Sequence, residues 1–343
     1  MKNLRVLVLM HEDLVPPASI EGLSEKEVAP WKSEYDVSAG LTNLGHEVRP
    51  LGVSSDLGVL RVAIQDWNPH ITFNLLEEFH GVAVYDQHVV GYLELLQKPY
   101  TGCNPRGLLL AHDKALAKKI LSYHRVRVPD FAVFPRNKVV KRPKRLRFPL
   151  LVKSVSEEGS VGISQASIVH SDDKLAERVE FIHQQTSTDA LAEEYIEGRE
   201  LYVGVMGNRR LQTFPIWEMR FEKMPEDVAR IATAKVKWDH EYQKKHGIVT
   251  AAAEGLSPEE SARISHLCKR VYRTLSLSGY ARMDLRLTAD GQVYVIEANP
   301  NPNLEYGEDF AESAEKAGVS YESLLQRILT LGLNYEPPWK TGS

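Results

Sequence analysis

The sequence predicts an α/β fold that passes into α+β architecture: an open, mostly parallel sheet first, then antiparallel strand pairs. Three observations carry this expectation. Strand-like and helix-like segments alternate through the first hundred residues. The middle of the chain changes to short strands flanking single helices. Near residue 290, two strand patterns flank Asp290-Gly291, the strongest short-range hairpin signal.

The elements follow in order. Leu4–Met10 is a continuous apolar run, as a strand buried on both faces requires. Val37, Leu41 and Leu44 repeat at helical spacing, and Gly45 stands where a helix would end. His46–Leu51 reads as strand, Leu57, Leu60 and Ile64 as a helical stripe, His70–Leu75 as strand, and Tyr85–Gln97 as helix. Asp113–His124 is expected to be a helix with Leu116, Ile120 and Leu121 inward. Phe131–Phe134 and Pro149–Lys153 read as strands around Lys138–Arg147, a link with six basic residues in ten. Ser171 opens a helix carrying Leu175, Val179 and Ile182 on one face. Leu191–Ile196 and Glu200–Met206 are two more strands. Arg220–Thr250 shows no clean period and reads as a long loop, functional or disordered. Ser257-Pro258-Glu259-Glu260 is a capping box ahead of the stripe Ile264–Leu275.

Composition narrows the function. The 343 residues are 43% hydrophobic and 26% charged, which excludes collagen-like, mucin-like and wholly disordered chains. The formal charge of −4 advertises no nucleic-acid partner, and the basic link lacks interleaved aromatics. Cys103 and Cys268 are too few for a disulfide framework and match no metal spacing. The N-terminal apolar run is too short for a signal peptide, and no window suggests a membrane span. The expected location is the cytoplasm.

The segment Tyr280–Asn299 concentrates chemistry. A tight turn at Asp290-Gly291 would pair Leu287 with Tyr294, Asp284 with Glu297 and Arg282 with Asn299. Arg282, Asp284, Glu297 and Asn299 then share one face, while Met283, Leu285, Leu287, Tyr294, Ile296 and Ala298 share the other. Opposed carboxylates ~5 Å apart repel and invite a cation. Oxygen ligands of this type suit Mg²⁺ carrying phosphate oxygens. A solvated ladder pairing the carboxylates with Arg282 and Arg286 would use the same residues.

Other segments could hold the phosphates and the base. Gly159-Ser160-Val161-Gly162 follows a strand ending in Lys153, so backbone N–H groups and one ammonium could meet an anion. It is neither a P-loop nor a dinucleotide fingerprint. Lys114 sits at a helix start, where a cation opposes the dipole unless it has an anionic partner. Glu193–Glu200 packs four carboxylates around a strand joint and could serve an exocyclic amine, a ring and ribose hydroxyls.

Together and in this order, these segments resemble the ATP-grasp superfamily, and within it the D-alanine–D-alanine ligase-like branch. Leu93-Glu94-Leu95-Leu96, Pro99-Tyr100-Thr101-Gly102, Asp113-Lys114, Leu151-Val152-Lys153, Glu158–Gly162, Glu193–Glu200, Arg282-Met283-Asp284 and Glu297-Ala298-Asn299-Pro300 carry the resemblance, which spans nearly the whole chain. It implies an ATP-grasp fold: an N-terminal α/β domain (1–105), and two ATP-clamping subdomains at 106–198 and 199–335. The last would hold a mobile lid at about 220–250 and the metal hairpin at 280–299. By resemblance, Lys114 and Lys153 bind phosphate, and Ser160 belongs to the loop covering it. Glu193 accepts from the adenine amine, the Ile196 backbone serves the ring, and Glu200 holds ribose. Asp284, Glu297 and Asn299 hold Mg²⁺, with two ions expected and Mn²⁺ an alternative. Arg282 stabilises the acyl-phosphate and tetrahedral intermediate. Lys237 reaches the γ-phosphate from the lid, with Lys235 competing for that role.

The implied reaction is ATP-dependent: a carboxylate forms an acyl-phosphate, and an amine then displaces phosphate to give an amide. Partners would be small-molecule carboxylates and amines, with a homodimer allowed. The amino-acid side departs from the family. His11-Glu12-Asp13 replaces its Gly-Gly-x-Ser-x-Glu motif, leaving Glu12 as the stand-in. His80-Gly81 still matches, but Val84-Tyr85-Asp86-Gln87 replaces Gly-Glu-Asp-Gly. Pro300-Asn301-Pro302-Asn303-Leu304-Glu305 replaces the segment that binds the second D-alanine. Glu12, His80 and Asn301 are therefore the candidate substrate residues, and the substrates are expected not to be two D-alanines. True D-alanine ligation by a divergent site, and a catalytically silent ATP-binding module, are the competing readings.

Overall fold

A computed structural model describes residues 3–157, 162–225, 228–233, 235–236 and 239–337. Strands β1 (Arg5–His11), β2 (Glu47–Val53) and β3 (Ile71–Asn74) form a parallel sheet in the order β2-β1-β3. Helices α1 (Lys32–Asn43), α2 (Leu57–Trp67) and α3 (Asp86–Leu95) alternate with these strands. The apolar run in β1 has the cause its composition suggests. Leu7 and Leu9 enter one core, while Val6, Val8 and Met10 enter another on the opposite face.

Two helices follow, α4 (Pro105–His112) and α5 (Lys114–Tyr123). Asn104 and Asp113 cap them by accepting from the N–H groups of Gly107 and Leu116. The sequence reading missed α4, although Asn104-Pro105 is a cap followed by proline at the first helical position.

A four-stranded antiparallel sheet, β4 (Phe131–Phe134), β5 (Leu150–Ser154), β6 (Ile168–Val169) and β7 (Ala190–Glu194), runs in the order β4-β7-β5-β6. Helix α6 (Asp172–Thr186) covers it, with Leu175, Val179 and Ile182 packed on Val152 and Ala192. This core is separate from the others.

The largest sheet holds β8 (Arg199–Met206), β9 (Gln212–Thr213), β10 (Trp217–Phe221), β11 (Ile248–Ala252), β12 (Tyr280–Leu287) and β13 (Val293–Pro300), in the order β11-β10-β8-β12-β13 with β9 on β8. Helices α7 (His240–His246), α8 (Pro258–Thr274), α9 (Asp309–Lys316) and α10 (Tyr321–Leu333) complete the chain. The expected loop at 220–250 is not plain loop: it begins in β10, contains α7 and ends in β11, and β10 pairs antiparallel with β11. The two shared cores join this sheet and its helices to the N-terminal sheet; Leu9 clusters with Met283 and Cys268, and Val8 with Phe310 and Leu325. No helix among the described residues is long and apolar enough to cross a membrane.

The β12–β13 hairpin differs from expectation at its turn. Gly291, at φ 79°, donates to Thr288 O, and Thr288 N–H donates to Gln292 O, so Leu287 pairs with Val293 instead of Tyr294. The register then shifts between Asp284 and Leu285, leaving Ile296 as the extra residue of a bulge. Beyond it, Asp284 faces Glu297 and Arg282 faces Asn299, as expected. The bulge also changes the faces: Val293 and Val295 enter the core with Ala298, and Tyr294 and Ile296 do not.

Candidate active site

The four-stranded and six-stranded sheets both contribute side chains to one cleft. Lys153 from β5, Glu193 from β7, Ile196 and Glu200 near the β7–β8 joint, and Asp284 and Glu297 from the hairpin line it. These are residues separated by up to 144 positions in sequence, brought together by the pairing of β5 with β7 and of β8 with β12.

A chain of charges crosses the cleft floor. Glu193 lies 2.8 Å from Lys118 Nζ and 2.7 Å from Lys153 Nζ, and all three side chains are buried. Lys118 also donates to the Ile296 carbonyl at 2.8 Å, which ties α5 to the bulge residue. Lys153 lies 3.7 Å and Lys114 4.0 Å from Glu297, and Lys114 donates to Glu157 O at 2.7 Å. Burial disfavours every charge here, but the outcomes differ. Lys118 is pushed below the usual lysine range by burial, with Lys153 adding to the push. For Lys153 the carboxylates of Glu193, Glu297 and Asp284 outweigh burial and hold it above that range. For Glu193 the two ammoniums outweigh burial and hold its carboxyl below the usual range.

Lys118 is the residue that the sequence reading missed. The buried face of α5 carries Lys114, Ala117, Lys118 and Leu121, whereas Leu116 and Ile120 are only partly buried. An apolar stripe cannot reveal a face on which two lysines are neutralised by carboxylates from distant strands.

Arg282 donates to both Asp284 oxygens, at 2.8 and 2.9 Å, and its guanidinium sits 4.8 Å from the Tyr202 ring centroid. Burial disfavours its charge, but Asp284 outweighs that and holds it above its ordinary value. Half of the alternative ladder is thus present, but not as a solvated one: Asp284 is 6% exposed. Arg286 pairs elsewhere, with Glu200 at 2.5 Å and the Gly198 carbonyl at 2.9 Å. Glu200 also accepts from the Tyr202 hydroxyl at 2.9 Å.

Asp284, Glu297 and Asn299 place hard oxygen donors on adjoining strands. Asn299 Nδ2 is buried and has no hydrogen-bond partner among the described residues. The donor set fits a small divalent cation that completes its shell with phosphate and water. No group of three His, Cys, Asp or Glu side chains able to hold a metal occurs among the described residues.

Glu12 is exposed just past β1, and His80 is exposed beyond β3 with φ 56°. Asn301, with φ 51°, accepts the Cys103 N–H on Oδ1 at 2.8 Å, so it braces the loop after Gly102. A Cβ at Gly102 would lie 2.4 Å from that oxygen. Ser160 and Lys237 lie outside the described residues; Lys235 is described and exposed.

Comparisons with known proteins converge on one family. The model described as "D-ala D-ala ligase C-terminus" matches residues 118–330. The D-alanine–D-alanine ligase of Desulforudis audaxviator is 29% identical over 314 residues, covering 90% of this chain and 95% of that protein. "Uncharacterized protein y4sG" of Sinorhizobium fredii is 31% identical over 310 residues, 88% of each chain. Among solved structures, the Bacillus anthracis D-alanine–D-alanine ligase complexed with ATP superposes with TM-score 0.74 at 24% identity, covering 96% of this chain and 97% of that one. That last likeness speaks to the fold.

Proposed function

Because the chain belongs to the D-alanine–D-alanine ligase family, ATP-grasp enzymes that form carbon–nitrogen bonds, we propose that it joins a small-molecule carboxylate to an amine in the cleft between its antiparallel sheets. One observation supports this most: Lys114 and Lys153 converge on Glu297, which faces Asp284 across the hairpin. Cations for phosphate and oxygens for a metal thus meet at one point.

In this reading, 106–198 and 199–335 form the two halves of the clamp. Lys114 and Lys153 hold the phosphates, and Asp284, Glu297 and Asn299 hold Mg²⁺. Bound there, Mg²⁺ would neutralise charge developing on the transferred phosphoryl group. Glu193 serves first to hold Lys118 and Lys153. A carboxylate has about four acceptor positions, so it can still accept from an adenine amine. The Ile196 backbone faces the ring, and Glu200 binds ribose. The substrate carboxylate attacks the γ-phosphate, giving an acyl-phosphate and ADP. The amine attacks the acyl carbon and phosphate leaves. Arg282, fixed by Asp284, stabilises the oxyanion. A segment from 220–250 closing over the cleft would keep water from the acyl-phosphate. Use of ATP suits a cytoplasmic location.

The altered segments at Glu12, Val84–Gln87 and Pro300–Glu305 favour substrates other than two D-alanines. The relatives named D-alanine–D-alanine ligase favour the second reading, D-alanine ligation by a divergent site. Release of ADP with ATP, Mg²⁺ and a panel of carboxylate–amine pairs, with mass spectrometry of the products, tests both. A pair other than two D-alanines is expected to turn over. Turnover with D-alanine alone would establish the second reading, and ATP binding without turnover on any pair would overturn the ligase reading.

A further inference from the structure

We propose that a groove separate from the cleft binds a small polyphosphate, an anion bearing two or more phosphate groups, through Arg125, Arg127, Arg263 and Arg270. The groove shares no lining residue with the cleft, and the proposal stands independently of the ligase reading.

Two segments far apart in sequence form its walls. One is the end of α5 with the chain after it, carrying Arg125 and Arg127; the other is an exposed face of α8, carrying Arg263, His266 and Arg270. Spacings of three and four residues set those three on one side of the helix. Val126, Val128, Leu267 and Val293 also line the groove and offer no polar side-chain atom, so recognition falls to the cations. The groove has a volume of about 600 Å³, which suits a small molecule.

The charge of this groove is left unneutralised. Five of its ten lining residues are Arg or His and none of the ten is acidic, in a chain whose formal charge is −4. Among the described residues none of the four arginines forms an ion pair; three are held by neutral acceptors instead. Arg127 donates to the Gln292 side chain, Arg263 to the Gly291 carbonyl at 2.8 Å, and Arg270 to the His124 carbonyl. Such a bond orients a guanidinium while leaving its charge and most of its five N–H donors for a ligand. Asp290 acts electrostatically on Arg127, but its carboxylate accepts from the Thr288 hydroxyl and makes no ion pair with it. Arg125 has φ 55°, just past the end of α5, so a cationic side chain occupies a position that backbone conformation alone would give to glycine. Oriented guanidiniums match phosphate oxygens in forked geometry, and several in one groove require several phosphates on one ligand. No aromatic ring lines the groove, so the bases of a nucleic acid would have nothing there to stack on.

Calorimetric titration of the full chain with tripolyphosphate and with inorganic phosphate, in metal-free buffer, tests this. Tripolyphosphate is expected to bind at least about tenfold more tightly than phosphate. Arg263→Gln and Arg270→Gln replace exposed side chains, so each should weaken tripolyphosphate binding about tenfold while Tm stays near that of the parent chain. Lys114 and Lys153 in the cleft also attract the probe, and the two variants decide where it sits. Binding of tripolyphosphate that survives both substitutions would lie outside the groove and overturn the proposal, as would equal affinity for the two anions. A single-stranded oligonucleotide bound more tightly than tripolyphosphate, and weakened by the same substitutions, would overturn it in favour of a nucleic-acid surface.

Discussion

Lys118 Nζ lies 2.8 Å from Glu193 Oε2, with both side chains 2% exposed. This contact joins α5 to the four-stranded sheet, and the hydrogen bond from the same ammonium to Ile296 O joins it to the hairpin bulge. One buried cation thus links the two halves of the cleft at the place where the register shifts to set Asp284 opposite Glu297.

Lys118→Met should therefore be strongly destabilising. It leaves Glu193 facing only Lys153 and strips the Ile296 carbonyl of a donor. Breaking a buried pair of this kind costs about 3–5 kcal/mol. A fall in Tm of several degrees, with ATP affinity reduced in whatever protein remains folded, is the expected outcome. A variant with unchanged Tm would show that the link carries no stability.

Glu297→Gln keeps shape but removes one of the two carboxylates offered to the metal. It should leave Tm near that of the parent chain and lower turnover at least ~10²-fold. Titration of Mg²⁺ should show a higher concentration for half-maximal activity. Near-normal turnover would remove Glu297 from the metal site.

Asn301→Ala separates structure from substrate binding. The Cys103 N–H loses its acceptor, at a cost of about 1–3 kcal/mol. Thermal unfolding should register this while KM for both substrates stays nearly constant. A large rise in KM at unchanged Tm would show instead that Asn301 contacts substrate.

Glu34 makes stability depend on pH. Burial, opposed only by its own N–H, and the neighbouring Glu77 and Glu305 push its carboxyl from 4.5 to about 7. The native state therefore holds a proton that the unfolded chain releases. The contribution is fully present below pH 4.5 and is lost as pH rises through about 7. Glu34→Gln should match the parent chain near pH 4.5 and exceed it by about 3 kcal/mol at pH 8. Chemical denaturation across that range checks both the sign and the window; a difference independent of pH would contradict it.

Much of the architecture is legible in the sequence because local pattern and global role coincide. A strand such as β1, buried on both faces, has to be apolar throughout, and it reads that way. Asp113, Ser171 and Ser257 announce their helices because the caps are local. The hairpin is more instructive. Asp284–Glu297 and Arg282–Asn299 are paired as expected, but the turn is one residue off and the bulge at Ile296 restores the register. A bulge depends on what packs above it, here the reach of Lys118 to Ile296 O, and no local signal marks it. Lys118 itself was hidden because its partners arrive from β7 and β13. Glu34 was hidden for the same reason: only the return of the chain at Glu305 makes its burial among like charges visible. Strands β10 and β11 went unread because each is only five residues long and they flank the charge-rich stretch without a turn signal between them; their antiparallel pairing with each other defines them.

The most direct test of the central claim follows one oxygen atom. With the substrate carboxylate labelled with ¹⁸O, and ATP, Mg²⁺ and the amine supplied, activation as an acyl-phosphate must pass one carboxylate oxygen to inorganic phosphate. Mass spectrometry should find one ¹⁸O in phosphate for each amide formed, with ADP in equal amount. Amide formation with unlabelled phosphate, or with AMP in place of ADP, would contradict the account.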